Sequence, residues 1–157
     1  MRRILVLLAA MALTAAACNG EPEPAPAPEE EAVDDYDISD QPADAQATFV
    51  TPSDGDTVSS PVQVEMAAEG VEIVPADAPR VGEAHFHINV DIGCVGTGEV
   101  IPGPSEEATE QGHRHFGDGS TQAELDFEPG TYELCLQLAD GVHFAFGQTD
   151  TITITVE

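Results

Sequence analysis

Lysine is absent from this chain of 157 residues, and four arginines face 30 acidic residues, for a formal charge of −26 at neutral pH. No basic patch exists to meet phosphates, which excludes nucleic acid as a partner. Electrostatic docking on anionic lipid is excluded for the same reason, so only a covalent anchor could hold the chain to a membrane. Charge of one sign keeps a protein soluble but repels itself, and salt relieves that repulsion; a saline setting is expected. Methionine is scarce, with Met66 alone beyond the first eleven residues, so a soft Cu⁺ site is not expected. The chain has no Gly-x-Ser-x-Gly elbow, Ser120 following Gly117-Asp-Gly119 in a turn instead. It also lacks a His-Glu-x-x-His helix and a glycine-rich phosphate loop, so no enzyme is expected. Asp54-Gly-Asp56 and Asp118-Gly119 lack EF-hand spacing and read as turns.

The one long apolar run, Ile4 to Ala17, has 14 residues and follows Met1-Arg2-Arg3. A membrane-spanning helix needs about 20, so residues 1–17 read as a secretory signal. The run ends in Leu13-Thr-Ala-Ala-Ala-Cys18, which resembles the lipobox of bacterial lipoproteins, although Ala15 rather than Leu stands three before the cysteine. The resemblance implies cleavage before Cys18, its acylation, and an extracytoplasmic domain on a bacterial membrane. Cleavage would remove Arg2 and Arg3 and make the chain more negative by two charges. Residues 18–46 mix proline with acidic residues, as in Glu21-Pro-Glu-Pro-Ala-Pro-Ala-Pro-Glu-Glu-Glu31, and read as a disordered spacer.

From residue 47 to 157 the text changes to short strands divided by Gly, Pro and Asp. Val62, Val64 and Met66 alternate with polar residues; so do Phe86, Ile88 and Val90; Ala123, Leu125 and Phe127; Tyr132, Leu134, Leu136 and Leu138; and Ile152, Ile154 and Val156. Period-two alternation without a helical period predicts an all-β fold. The expected architecture is an antiparallel immunoglobulin- or fibronectin-like β-sandwich, with a jelly-roll or cupredoxin-like sandwich as the alternative. Residues 94–112 read as a long loop. Cys94 and Cys135 remain as an even pair in an exported protein, so a disulfide is expected. The alternative is a cysteine ligand beside the histidines.

All five histidines lie between residues 85 and 143, four of them as His85-Phe-His87 and His113-Arg-His115. Residues i and i+2 of a strand share a face, so each pair presents two imidazoles side by side. The alternation places His85 and His87 on the outer, polar face with Asn89 and Asp91. If Cys94 and Cys135 join neighbouring antiparallel strands, their index sum of 229 sets the register and brings His143 beside His85 and His87. The register does not place His113 or His115. Neutral imidazole is a common transition-metal ligand, and Zn²⁺ or Cu²⁺ suits a nitrogen set. Asp91 and Asp140 are candidates to orient the rings from behind. The bland alternative is structural histidines, His115 capping a turn by Phe116-Gly117 and His85 and His87 solvated, in an immunoglobulin-like adhesion or envelope module. No protein partner is named by the sequence.

Residues 47–157 resemble the bacterial domain-of-unknown-function 4399 family. The resemblance rests on Phe49-Val-Thr-Pro-Ser-Asp-Gly-Asp-Thr-Val58, His85-Phe-His-Ile-Asn-Val-Asp91, His113-Arg-His-Phe-Gly117, the Pro129-Gly130 turn with its leucine strand, and His143. Phe86 stands where the family tends to have a middle histidine, and no second histidine with prolines follows His143. The resemblance implies a fold and a set of histidines, without a reaction.

Overall fold

The computed structural model describes residues 36–157. The expected signal sequence, Cys18 and most of the expected spacer lie outside the described residues. The strands are β1 (Gln46–Thr51), β2 (Thr57–Val58), β3 (Val62–Glu69), β4 (Glu72–Ile73), β5 (Glu83–Val90), β6 (His113–Phe116), β7 (Gln122–Leu125), β8 (Gly130–Ala139) and β9 (Ala145–Val156). A short α-helix, α1 (Glu106–Glu110), interrupts the loop between β5 and β6, with Ser105 as its N-cap.

The strands join in the order β4-β5-β8-β9-β1-β3-β7, with β2 attached to β9 and β6 to β5. The long ladders β5–β8, β8–β9 and β1–β3 are antiparallel, while β1 touches β9 through one parallel pairing, Gln46 with Gln148. That thin junction lets the sheet fold over on itself. Phe49, Val64 and Met66 from one half then share a core cluster with Phe86, Ile88, Leu134, Leu136 and Ile154 from the other. Burial of these alternating side chains, at about 1.5–3 kcal/mol for each large one, is the main force closing the sandwich.

The domain begins before residue 47. Gln41 is buried, its side chain donating to the Arg80 carbonyl and accepting from Gly82 N–H. Ala45 is fully buried. Residues 36–46 are therefore part of the fold, where the proline-rich composition before them suggests spacer.

The larger departure concerns β5. Every residue from Ala84 to Val90 is buried, so His85, His87 and Asn89 are not on a solvated face. After Val90, Asp91 (φ 58°) and Gly93 (φ 70°) take left-handed backbone and turn the chain back over the sheet. Cys94 then reaches Cys135 in a disulfide with Cα atoms 5.5 Å apart. Val95 is clamped by the Gln137 amide, which accepts from its N–H at 2.7 Å and donates to its carbonyl at 2.7 Å. Farther on, Ile101 packs with Ala139 and Ala145 in a second small apolar cluster. The non-periodic loop thus covers this side of the sheet at Asn89 and along β8, while Val74, Pro75, Ala78 and Gly141 lie about His85.

The disulfide is consequently not a bridge between laddered strands. Asn89 is opposite Cys135, and the β5–β8 pairs sum to 224, five short of the expected register. His85 lies opposite Ala139 and His87 opposite Gln137. Since Ala139 is the last residue of β8, the turn carrying His143 still begins beside His85.

Candidate metal centre

Four of the histidines are placed by strands. His85 and His87 share the loop-covered face of β5, and β6 brings His115 directly opposite His87 and His113 opposite Asn89. His143 comes from the β8–β9 turn with φ 76°, a left-handed conformation uncommon for a residue with a Cβ. Asp140 builds that turn. Its Oδ1 accepts from Val142 N–H at 3.0 Å and Phe144 N–H at 2.9 Å, and Oδ2 accepts from the Tyr36 hydroxyl at 2.6 Å. Burial, with Asp140 adding to it, pushes the Tyr36 phenol up, so it stays a proton donor.

His85, His87, His115 and His143 converge, each offering a ring nitrogen within 4.8 Å of the others. The Nε2 atoms of His85 and His87 are 2.9 Å apart and those of His143 and His115 are 3.0 Å apart. The six ring-centroid separations run from 4.8 Å (His85–His87) through 4.9 Å (His87–His115 and His115–His143), 5.0 Å (His85–His143) and 5.1 Å (His85–His115) to 5.5 Å (His87–His143). Four rings at nearly equal mutual distances stand at the corners of a tetrahedron.

His85 and His87 are fully buried, while His115 and His143 are half-buried. Burial, reinforced by the neighbouring imidazoles, pushes His85 down to about 3 and His87 to about 2. Burial also lowers His115, with Asp118 opposing. Neutral rings are the form that ligates. Each Nε2 pair can share one proton only, so two rings must donate through Nε2 and two must accept. A cation would instead meet four lone pairs. The Nδ1 atoms of His85 and His87 are buried and have no hydrogen-bond partner among the described residues.

The remaining sequence candidates stand outside this cluster. The His113 Nδ1 lies 2.9 Å from Asn89 Oδ1, away from the tetrad, and burial followed by the Arg114 charge lowers its pKa. Neither Asp91 nor Asp140 hydrogen-bonds an imidazole among the described residues; Asp91 accepts from Glu133 N–H. Their expected place behind the rings is corrected accordingly: Asp140 acts on His143 through the backbone of its turn. Cys94 and Cys135 are consumed by the disulfide and cannot be ligands.

One glycine gives a ring its room: a Cβ on Gly117 would overlap the His115 imidazole, whereas a Cβ on Gly103 would make only ordinary contact with His143, 3.6 Å from Cε1 and Nε2. Gly117 is visible in the sequence as part of a motif, but its role depends on the His115 ring orientation, which spacing does not give. A cavity of about 320 Å³ opens beside the exposed edge of His115, lined also by Gly103, Arg114, Phe116 and Leu125.

Residues 64–157 match the family described as Domain of unknown function (DUF4399). Among curated proteins, none matches the chain. Among solved structures it is similar to fibronectin(III)-like modules of CbhA from Clostridium thermocellum, at 11% identity and a TM-score of 0.41. That similarity covers 74% of this chain and 48% of the other, so the chain spans about half the length of that structure.

Proposed function

The chain belongs to the DUF4399 family, and we propose that this member binds a transition-metal ion, Zn²⁺ or Cu²⁺, through His85, His87, His115 and His143. The observation that carries the reading is the set of four imidazole nitrogens within 4.8 Å of one another. Zinc–nitrogen bonds of about 2.0–2.1 Å put ring centroids about 3.2 Å from the ion, hence about 5.2 Å from each other in a tetrahedron. The six separations of 4.8–5.5 Å bracket that value. Four protein ligands leave no open position, the arrangement of structural rather than catalytic zinc sites. The role is therefore to hold the ion, without catalysis.

The setting we propose is the outer side of a bacterial membrane, with Cys18 acylated after removal of residues 1–17. The apolar run before Cys18 and the Cys94–Cys135 disulfide, which suits an oxidising compartment, support it. Mass spectrometry of membrane-extracted protein should show an acylated N-terminal Cys18; an unmodified N-terminus elsewhere rejects the anchor.

Calorimetric titration with Zn²⁺ and Cu²⁺ tests the site. The wild type should bind one equivalent and the His85→Ala/His87→Ala variant none. Equal binding by both proteins, or none by either, leaves an immunoglobulin-like interaction module with structural histidines as the better reading.

A further inference from the structure

We infer that the site discriminates against Cu²⁺ in favour of Zn²⁺, and that His143 is the residue that imposes the choice. The inference rests on the reading of the tetrad as a metal site and concerns which ion that site takes.

Nitrogen ligands by themselves favour copper, since Cu²⁺ stands above Zn²⁺ in the usual affinity order. Selectivity against that order must come from geometry. Cu²⁺ prefers a square or tetragonal set of nitrogens. Four imidazoles around a square-planar ion would have centroids about 4.5 Å apart along the edges and about 6.4 Å across the diagonals. The largest separation here is 5.5 Å, between His87 and His143, and the smallest is 4.8 Å. No pair has the length of a diagonal. Zn²⁺ has no geometric preference from its d electrons and is met as a tetrahedral ion in four-ligand sites.

The arrangement resists flattening. His85 and His87 project from one face of a strand paired on both sides, and His115 is fixed opposite His87. These three rings form a base. His143 is the apex and alone comes from a turn, so a square set requires its backbone to move. That backbone is tied at several points. His143 N–H donates to the Asp140 carbonyl at 3.0 Å, and Ile101 N–H donates to the His143 carbonyl at 2.9 Å. The Asp140 carboxylate holds the N–H groups on either side of His143. Gly141, two residues before it, lies against the backbone of Asp77 and Ala78 so closely that no Cβ would fit. The left-handed φ of His143 is unfavourable for a residue with a Cβ, and these ties maintain it. His143 is thus a specificity-determining ligand as well as a fourth nitrogen.

The test compares the full-length wild type with His143→Ala. Zn²⁺ and Cu²⁺ affinities are measured by competition with a chromophoric chelator, and Co²⁺ serves as a visible reporter of geometry. The wild type should bind Zn²⁺ at least as tightly as Cu²⁺, and its Co²⁺ form should show the intense d–d bands of a four-coordinate tetrahedral ion. The variant should lose at least the 10–100-fold in Zn²⁺ affinity, roughly, that a missing supporting partner costs. It should lose less for Cu²⁺, so that copper becomes the preferred ion. Tighter Cu²⁺ than Zn²⁺ binding in the wild type, with a tetragonal electron paramagnetic resonance signal, overturns the inference and leaves the metal-site reading standing. Failure of the wild type to bind any of the three ions overturns both. If His143→Ala does not fold, the wild-type affinities and Co²⁺ spectrum still decide which ion the site takes, and a folded His143→Ala that keeps the wild-type preference overturns the role given to His143.

Discussion

His115 and His143 stand 28 residues apart in sequence, yet their Nε2 atoms are 3.0 Å apart. His113, two residues from His115 on the same strand face, takes no part in that contact and is held by Asn89. The sequence motif His-x-His therefore divides into one ring inside the tetrad and one outside. Zn²⁺ titration of His113→Ala should give an affinity within a few fold of the wild type, roughly, whereas His115→Ala should lose 10–100-fold or more, again roughly. Equal losses for the two variants would show that the pair acts as a unit and contradict the geometry.

Gly117 has no side chain because the His115 ring occupies that space. Gly117→Ala should displace the ring and weaken Zn²⁺ binding on the order of 10–100-fold, although residue 117 contributes no ligand atom. An unchanged isotherm would place the His115 ring elsewhere.

Acid should destabilise the metal-free protein. Histidine titrates near 6.5 in an unfolded chain, whereas burial holds His85 down to about 3 and His87 to about 2 in the fold. The unfolded state therefore takes up protons first as pH falls. The stabilisation is fully present above about pH 6.5 and is lost progressively toward about pH 3, at up to about 1.4 kcal/mol per pH unit for each such ring. Urea denaturation of the metal-free protein between pH 8 and pH 4 should show this decline, and a flat profile from pH 7 to pH 5 would argue that the rings are not buried. Bound metal should likewise be released in acid, because protons bind the histidines of the unfolded chain in competition with metal binding to the fold.

The disulfide closes a sequence separation of 41 residues, for which chain entropy gives about 4 kcal/mol. Reduction, or Cys94→Ser/Cys135→Ser, should lower unfolding free energy by roughly 2–5 kcal/mol. Free thiols in the unfolded, unreduced protein would contradict the bridge.

The formal charge of −26 should make the fold dependent on ionic strength. Thermal midpoints should rise from dilute buffer to molar NaCl, where screening extends over about 3 Å. A flat or falling midpoint would remove the case for a saline setting.

Val62–Met66 is legible in the sequence because it buries alternate residues, and period two is what a sheet writes into a chain. Leu134–Leu138 carries the same period in its residue types although all five residues are buried, Cys135 and Gln137 being taken up by the disulfide and by Val95. The shared face of His85 and His87 was legible for the same reason. What covers that face was not. At Asn89 and along β8 it is covered by residues 91–101, which have no period and are placed by the left-handed Asp91 and Gly93, by the Gln137 amide and by a disulfide to the middle of β8, and at His85 by Val74, Pro75, Ala78 and Gly141. The disulfide therefore differs by five from the index sum of the β5–β8 ladder, so the two cysteines do not set the register. His143 falls at the same end of the sheet in either register, because β8 ends at Ala139 and the turn follows. Separating His115 from His113 required the β5–β6 pairing, which period two cannot supply since both residues share a face.

β6 has only four residues and, among the described residues, a single paired neighbour, β5, while His143 rides on a turn. The two other rings, of His85 and His87, are sealed in a strand paired on both sides. A captured ion would therefore leave through the His115 and His143 side. Its residence time would follow the local opening of a short edge segment rather than global unfolding, because such segments open at a fraction of the total stability. Amide hydrogen exchange at Arg114–Phe116 and metal off-rates would then report the same fluctuation, so a protein with a slowly unfolding core could still hand over its ion quickly.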